Sequence, residues 1–212
     1  LEDKMRLIEL CLTMAYDAKV NYMDVLGSVK YWDILIYNEL RKKNIVIPQK
    51  IQREKSDKFE GAYVKDPIVG LHKWVMSFDL NSLYPHLIMQ YNISPETLVA
   101  DKAVKNMSVE KMLNKEVDTS ILKDATMTPN GALFKTTQKG FLPELMQKMY
   151  DDRVKFKQLM IEAQKDYEKT KDPKLLRDIS KFNNIQMAKK ISLNSAYGAI
   201  GNVWFRYYNI LV

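Results

Sequence analysis

One cysteine, Cys11, stands in 212 residues, so no disulfide forms within the chain and a reducing compartment is expected. Its neighbours Leu10, Leu12 and Met14 point to a plain buried thiol. No apolar run approaches the length of a membrane-spanning helix, and no signal peptide is recognisable. Repeats and low-complexity tracts are missing too, which leaves an ordinary globular chain. What is present suits that reading. A hydrophobic content of 46% is enough for the core of one or two domains. The formal net charge of +7 and pI near 9.2 fit a polyanionic partner without specifying one. The chain opens on Leu1 rather than Met and closes on Ile210-Leu211-Val212, so a segment of a larger protein is expected.

Taken in order, residues 5–19 carry Leu7, Leu10, Cys11, Met14 and Ala18 at helical spacing. Gly27-Ser28 breaks the chain ahead of a second helix over 31–42, in which Trp32 and Asp33 read as core and cap. Residues 45–48 read as an edge strand ending in Pro48, and the polar stretch 49–58 as a linker. Residues 61–64 and 73–78 should pair around a turn at Asp66-Pro67 and Gly70. A short helix over 83–91 follows, then a weakly patterned helical stretch over 101–120. Residues 127–134 form a hairpin on a Pro-Asn-Gly turn. Two long helices come last, to about Lys169 and from Lys174 to about Tyr197, with Gly198 as the stop.

The chain is organised around Val75-Met76-Ser77-Phe78-Asp79-Leu80-Asn81-Ser82-Leu83-Tyr84-Pro85. Four uncharged residues read as a strand covered on both faces, delivering Asp79 to its end. A carboxylate buried there needs a cation or a donor, and a divalent metal is the usual answer where phosphate chemistry is done. The plainer reading makes Asp79 or Ser82 a helix cap.

The final hairpin supplies charge of the other sign. Arg153 and Lys157 share one face of its first helix, and Lys190, Asn194 and Tyr197 share one face of its second. At about 1.5 Å of rise per residue, Arg153 and Lys190 both lie roughly 25–29 Å from the tip. They therefore stand level near the base. Cations at one height, opposite a metal-binding carboxylate, suit a triphosphate. The plainer reading, solvated surface charge, fits Lys148, Lys155, Lys165, Lys169, Lys171 and Lys181.

At this point a resemblance is legible. Asp79-Leu80-Asn81-Ser82-Leu83-Tyr84-Pro85 resembles the first palm motif of family B (polymerase α-like) DNA polymerases. Lys190-Ile191-Ser192-Leu193-Asn194-Ser195-Ala196-Tyr197-Gly198 resembles the family's fingers motif, KxxxNSxYG, and Phe59-Glu60-Gly61-Ala62 its YxGG linker. The strings 92–97 and 201–208 narrow the likeness to the T-even-like bacteriophage branch. Two residues depart from the pattern: His86 replaces the usual Ser, and Phe59 the usual Tyr.

The resemblance implies an α+β fold: a partial palm of antiparallel sheet and short helices, plus a long antiparallel helical hairpin as fingers. Residues 1–50 would lead in from an N-terminal exonuclease region. Residues 51–139 would begin the palm, 140–202 would be the fingers, and 203–212 would start the second palm part. It implies DNA-directed DNA synthesis with two Mg²⁺ ions, primer-template DNA and dNTPs as partners, a sliding clamp, and work in an infected bacterium's cytoplasm. By the same resemblance Asp79 is catalytic and, with Leu80, binds metal. Ser82, Leu83, Tyr84, Arg153, Lys157, Lys190 and Asn194 bind the dNTP, with Tyr84 beneath the sugar where a 2′-OH would clash. Ser195, Tyr197 and Gly198 line the nascent base pair and template.

One deficit stands out. The family's second carboxylate motif, DTD, does not occur, and Asp66, Asp151 and Asp152 are poorly placed to replace it. The 212 residues alone are therefore expected to be inactive. The alternative is a non-catalytic nucleotide- or nucleic-acid-binding module of polymerase-like shape. A protein-primed polymerase is disfavoured, because nothing between the two motifs looks like the insertion it would carry.

Overall fold

The helical periodicity read above becomes helix wherever the apolar face has something to pack on. The computed structural model describes residues 6–51, 64–99, 107, 109–117, 120 and 122–212. Helix α1, Leu7–Ala18, turns Met14, Ala15 and Ala18 inward. Cys11 is only half-buried against that core, less enclosed than its neighbours suggested. A 3₁₀ turn, Tyr22–Leu26, leads through Gly27 into α2, Ser28–Lys42, which buries Tyr31, Trp32, Leu35, Ile36 and Leu40. Helix α3, Leu83–Gln90, and the short α4, Val109–Leu113, precede a hairpin of β1, Ala125–Met127, and β2, Leu133–Lys135. The strands pair antiparallel with Thr126 opposite Phe134, and Gly131 takes the turn's positive φ of 83°.

The last two helices are α5, Phe141–Thr170, and α6, Pro173–Ile200. Pro143 falls in the first turn of α5, where no carbonyl awaits its missing N–H. Asp172 caps α6 by accepting a 2.9 Å bond from the Lys174 N–H, with Pro173 as the first helical residue. The two run antiparallel and pack along each other. Helices α1 and α2 lie against α6, and α3 lies against both long helices. One core results, joining Trp32, Ile36, Leu142, Met146, Leu193 and Ala196. The architecture is the expected α+β arrangement, a small antiparallel sheet with short helices beside a long helical hairpin.

Several sequence expectations need correction. Residues 73–78 form no strand, and Val75, Met76 and Phe78 are 75–86% exposed. A strand needs a hydrogen-bonded neighbour, and no described residue supplies one; residues 61–63 lie outside the described set. Residues 45–48 likewise form no edge strand; the Pro48 carbonyl instead accepts from the Arg206 guanidinium. Within 101–120 only α4 is helix among the described residues. Helix α6 also runs through Gly198 to Ile200, because Ala199 and Ile200 are buried and packing carries the helix past the glycine. The linker at 52–58 and the departure at Phe59 lie outside the described residues.

A polar latch, not anticipated, fixes the root of α5. The first N–H groups of a helix have no partner within it. Here the loop 92–97 provides them. Asn92 Oδ1 accepts from the Gly140 N–H at 2.9 Å, Glu96 Oε1 from Phe141 at 2.5 Å and Ser94 Oγ from Leu142 at 3.4 Å. Asn92 Nδ2 also donates to the carbonyls of Lys135 and Gln138. The approach is so close that a Cβ on Gly140 would lie 2.5 Å from Ser94 Cβ, so no larger residue fits without movement. The same loop reaches the sheet through a Leu98–Phe134 bridge.

Candidate functional site

Ser82 sits at φ 55° in the N-cap position of α3, its hydroxyl making no capping bond to the helix, and turns the chain sharply into it. Two long-range contacts hold the turn. From α5, the Arg153 guanidinium donates to Ser82 Oγ at 2.8 Å. From α6, the Tyr197 ring stacks on Tyr84, with centroids 4.5 Å apart and planes 15° from parallel. The Ser82-Leu83-Tyr84 turn is thus pinned between the two helices of the hairpin. Arg153 is half-buried, and its Nε has no partner among the described residues.

The remaining polar candidates lie on the two long helices that hold this turn. Lys157 follows Arg153 by one helical turn, and Lys190, Asn194 and Tyr197 lie along one face of α6. Lys157, Lys190 and Asn194 are exposed, with no hydrogen bond or ion pair among the described residues. The level pairing of Arg153 with Lys190 is supported by their immediate neighbours, since Asp152 and Lys189 form an ion pair at 3.2 Å. Gly198 is exposed, and a Cβ there would meet nothing within 4 Å. That face of α6 is open to an incoming group.

Ser195 is turned elsewhere. Its hydroxyl accepts from Trp32 Nε1 at 3.0 Å and donates to the Ser192 carbonyl. Trp32 Nε1 also reaches the Ser192 carbonyl at 3.2 Å, and Tyr31 Oη lies 2.7 Å from Ser192 Oγ. Burial pushes the Tyr31 phenol up to about 12, with the Ser192 hydrogen bond pulling the other way. These bonds fasten α2 to the back of α6, opposite the open face. Asp33 does not cap its own helix; it accepts from the Arg206 N–H at 3.1 Å and pairs with Lys50 at 3.6 Å.

Asp79 departs most from expectation. It is exposed rather than buried at a strand end, and makes no hydrogen bond or ion pair among the described residues. Neither is it the cap of α3, a place taken by Ser82. Leu80 can offer a metal only its backbone carbonyl. A carboxylate and a carbonyl are the right donor chemistry for a hard divalent ion. They do not make a whole site: among the described residues no three His, Cys, Asp or Glu side chains gather.

His86 faces away from the tyrosine stack. Its ring meets Tyr150 edge-on at 4.7 Å, and Nδ1 lies 2.8 Å from the Ser82 carbonyl. Behind the stack, a cavity of about 250 Å³ is lined by Leu87, Ile88, Ile93, Ile200 and Ile210.

Comparison with known proteins identifies the family and the fold. The sequence model of DNA polymerase family B matches residues 28–209. The DNA-directed DNA polymerase of Escherichia phage RB69 is 32% identical, across 99% of this chain and 27% of its own length. That of Enterobacteria phage T4 is 30% identical, across 98% of this chain and 27% of its own length. The DNA polymerase delta catalytic subunit of Arabidopsis thaliana is 31% identical over 76% of this chain and 13% of its own length. This chain therefore spans about a quarter of the phage polymerases it matches. In fold it is similar to the family B DNA polymerase of Pyrobaculum calidifontis, with a TM-score of 0.65 and 22% identity over 97% of this chain and 24% of that one. Sequence motifs, fold and matched length agree: this chain belongs to DNA polymerase family B.

Proposed function

We propose that this chain forms part of the nucleotide site of a template-directed DNA polymerase. The observation that carries the reading is the Ser82–Tyr84 turn clamped between Arg153 and the Tyr197 ring, on the same two helices as Lys157, Lys190 and Asn194, which have no partner among the described residues. A triphosphate is polyanionic, flat at its base and puckered at its sugar. Cations at one height meet the phosphates, with Arg153 offering a fork and the lysines mobile charges. The backbone at Ser82 and Leu83 adds N–H donors. The Tyr84 ring floors the sugar, and the open face around Tyr197 and Gly198 receives the base pair.

In the reaction, the primer 3′-oxygen attacks the α-phosphorus, a new phosphodiester forms, and pyrophosphate leaves. Magnesium neutralises developing phosphate charge when bound. Asp79 and the Leu80 carbonyl would be this chain's contribution to its site, and further carboxylates must come from outside the described residues. Primer-template DNA and dNTPs are the substrates, and a sliding clamp is the partner expected for a replicative enzyme. The cytoplasm of an infected bacterium is the setting proposed from the phage likeness. No helix among the described residues is long and apolar enough to cross a membrane.

The test is primer extension by the full-length polymerase across a range of dNTP concentrations. Lys190→Ala should raise KM for dNTP by about 10–100-fold, the scale of one or two charge-assisted bonds. Unchanged KM would remove Lys190 from the phosphate site.

A further inference from the structure

Lys189 is a charged residue that no role above absorbs. It precedes Lys190 on α6, but the two point about 100° apart around the helix. Lys190 is exposed, whereas the Lys189 side chain is only 10% exposed. Its Nζ lies 2.8 Å from Asp17 Oδ2, 3.0 Å from Asp17 Oδ1 and 3.2 Å from Asp152 Oδ2. One ammonium thus joins three helices: α1 through Asp17, α5 through Asp152 and α6 through its own backbone.

The position of this junction matters. Toward the base, α5 buries Leu142, Leu145, Met146 and Met149, and α6 buries Leu193 and Ala196. Toward the tip the packing thins, and beyond Met149 the only buried residue of α5 is Ala163. Thin apolar packing tolerates slippage of one helix along the other. A buried ammonium does not, because any other register separates it from its carboxylates and leaves it unpaired. The junction also involves the residues beside the two proposed phosphate cations, since Asp152 precedes Arg153 and Lys189 precedes Lys190. A slip of one residue would move a cation by about 1.5 Å and swing it about 100°.

We propose that the Asp17–Lys189–Asp152 junction is a register lock, with Lys189 a positioning residue that holds Lys190 level with Arg153 for the triphosphate. The inference rests on the nucleotide-site reading above. Lys189 does not touch the nucleotide; it acts through the height and rotation of Lys190.

The experiment measures dNTP KM, kcat and primer-template Kd in the full-length polymerase for wild type, Lys189→Met, Lys189→Arg, Asp152→Asn and Lys190→Ala. Methionine keeps the buried stem and removes the charge. Lys189→Met should raise dNTP KM by roughly tenfold while leaving primer-template Kd within about twofold, since the ammonium that ties Asp17 and Asp152 to α6 is gone. Lys189→Arg should recover most of that loss. Should Lys189→Met fold poorly, Asp152→Asn provides the same readout, with an expected KM rise of about threefold. Fewer folded molecules would lower apparent kcat at unchanged KM, and that outcome overturns the proposal. Unchanged KM in both junction variants alongside a raised KM in Lys190→Ala also overturns it, while sparing the nucleotide site. Unchanged KM in Lys190→Ala would instead sink the site reading on which the lock depends.

Discussion

The base of the hairpin and the stretch 75–82 hold the two opposite charges of the proposed site, and they are fixed by opposite means. Around Arg153 and Tyr197, helices satisfy their own backbone and bury each other's apolar faces, so the cationic side is assembled from local structure. Around Asp79, the backbone takes up no regular secondary structure and the apolar side chains are exposed, with Phe78 at 86%. A helix closes its hydrogen bonds within its own sequence, whereas a strand borrows them from a neighbour. The cationic side of the proposed site is thus preorganised, while no described residue pairs with the stretch 75–79.

The sharpest way to break that contrast is through Asp79. In the full-length polymerase, Asp79→Asn should cut primer extension by roughly 10³-fold, the upper range for removing one group that organises developing charge, with duplex binding largely kept. Normal extension by that variant would leave Asp79 with no catalytic part. As a companion test, the purified 212-residue chain should not extend a primed template with dNTP and Mg²⁺. Activity above background would show that the acids of this chain are enough.

The cationic side should respond differently. Arg153→Ala should raise dNTP KM by about 10–100-fold, because it removes a charged donor and also frees the Ser82 hydroxyl it holds. Loss confined to kcat would place Arg153 outside ground-state nucleotide binding.

Next in size is the sugar floor. Tyr84→Ala should narrow the dNTP/rNTP ratio of kcat/KM by about 10–100-fold, on the scale of about 1–3 kcal/mol for a shape contact. His86→Ser should leave that ratio unchanged, because His86 packs on Tyr150 and the Ser82 carbonyl rather than on the stack. A shift with His86→Ser would show that the turn passes strain to Tyr84.

The smallest expected effect concerns the hairpin's root. Gly140→Ala forces a Cβ to within 2.5 Å of Ser94 Cβ and should cost about 1–3 kcal/mol, as overpacking does. Thermal unfolding would show a lower Tm. An unchanged Tm would mean that the loop 92–97 shifts without loss.

Much of the helical half was legible because its signals are local. The turn at Asp172-Pro173, the periodicity of α1 and the shared faces of Arg153 with Lys157 and of Lys190 with Asn194 and Tyr197 all come from spacing. Three motifs in the family's order then pointed to the family. The latch at 92–97 was not legible. Asn92, Ser94 and Glu96 look like ordinary loop residues, and only the fold brings them 45–48 positions along the chain to the first turn of α5. Lys189 was equally hidden, one lysine among many, until two helices placed carboxylates beside it.

By itself, then, the sequence determined the helices, the hairpin's length and the level of its cations, since a helix's rise and face are properties of consecutive residues. Tertiary structure alone decided three further things. It stacked Tyr84 of α3 on Tyr197 of α6. It turned Ser195 toward Trp32 and away from the open face, because a buried indole N–H must find an acceptor. And it left residues 75–79 without a strand partner among the described residues, because an apolar run becomes a strand only when another strand lies alongside it.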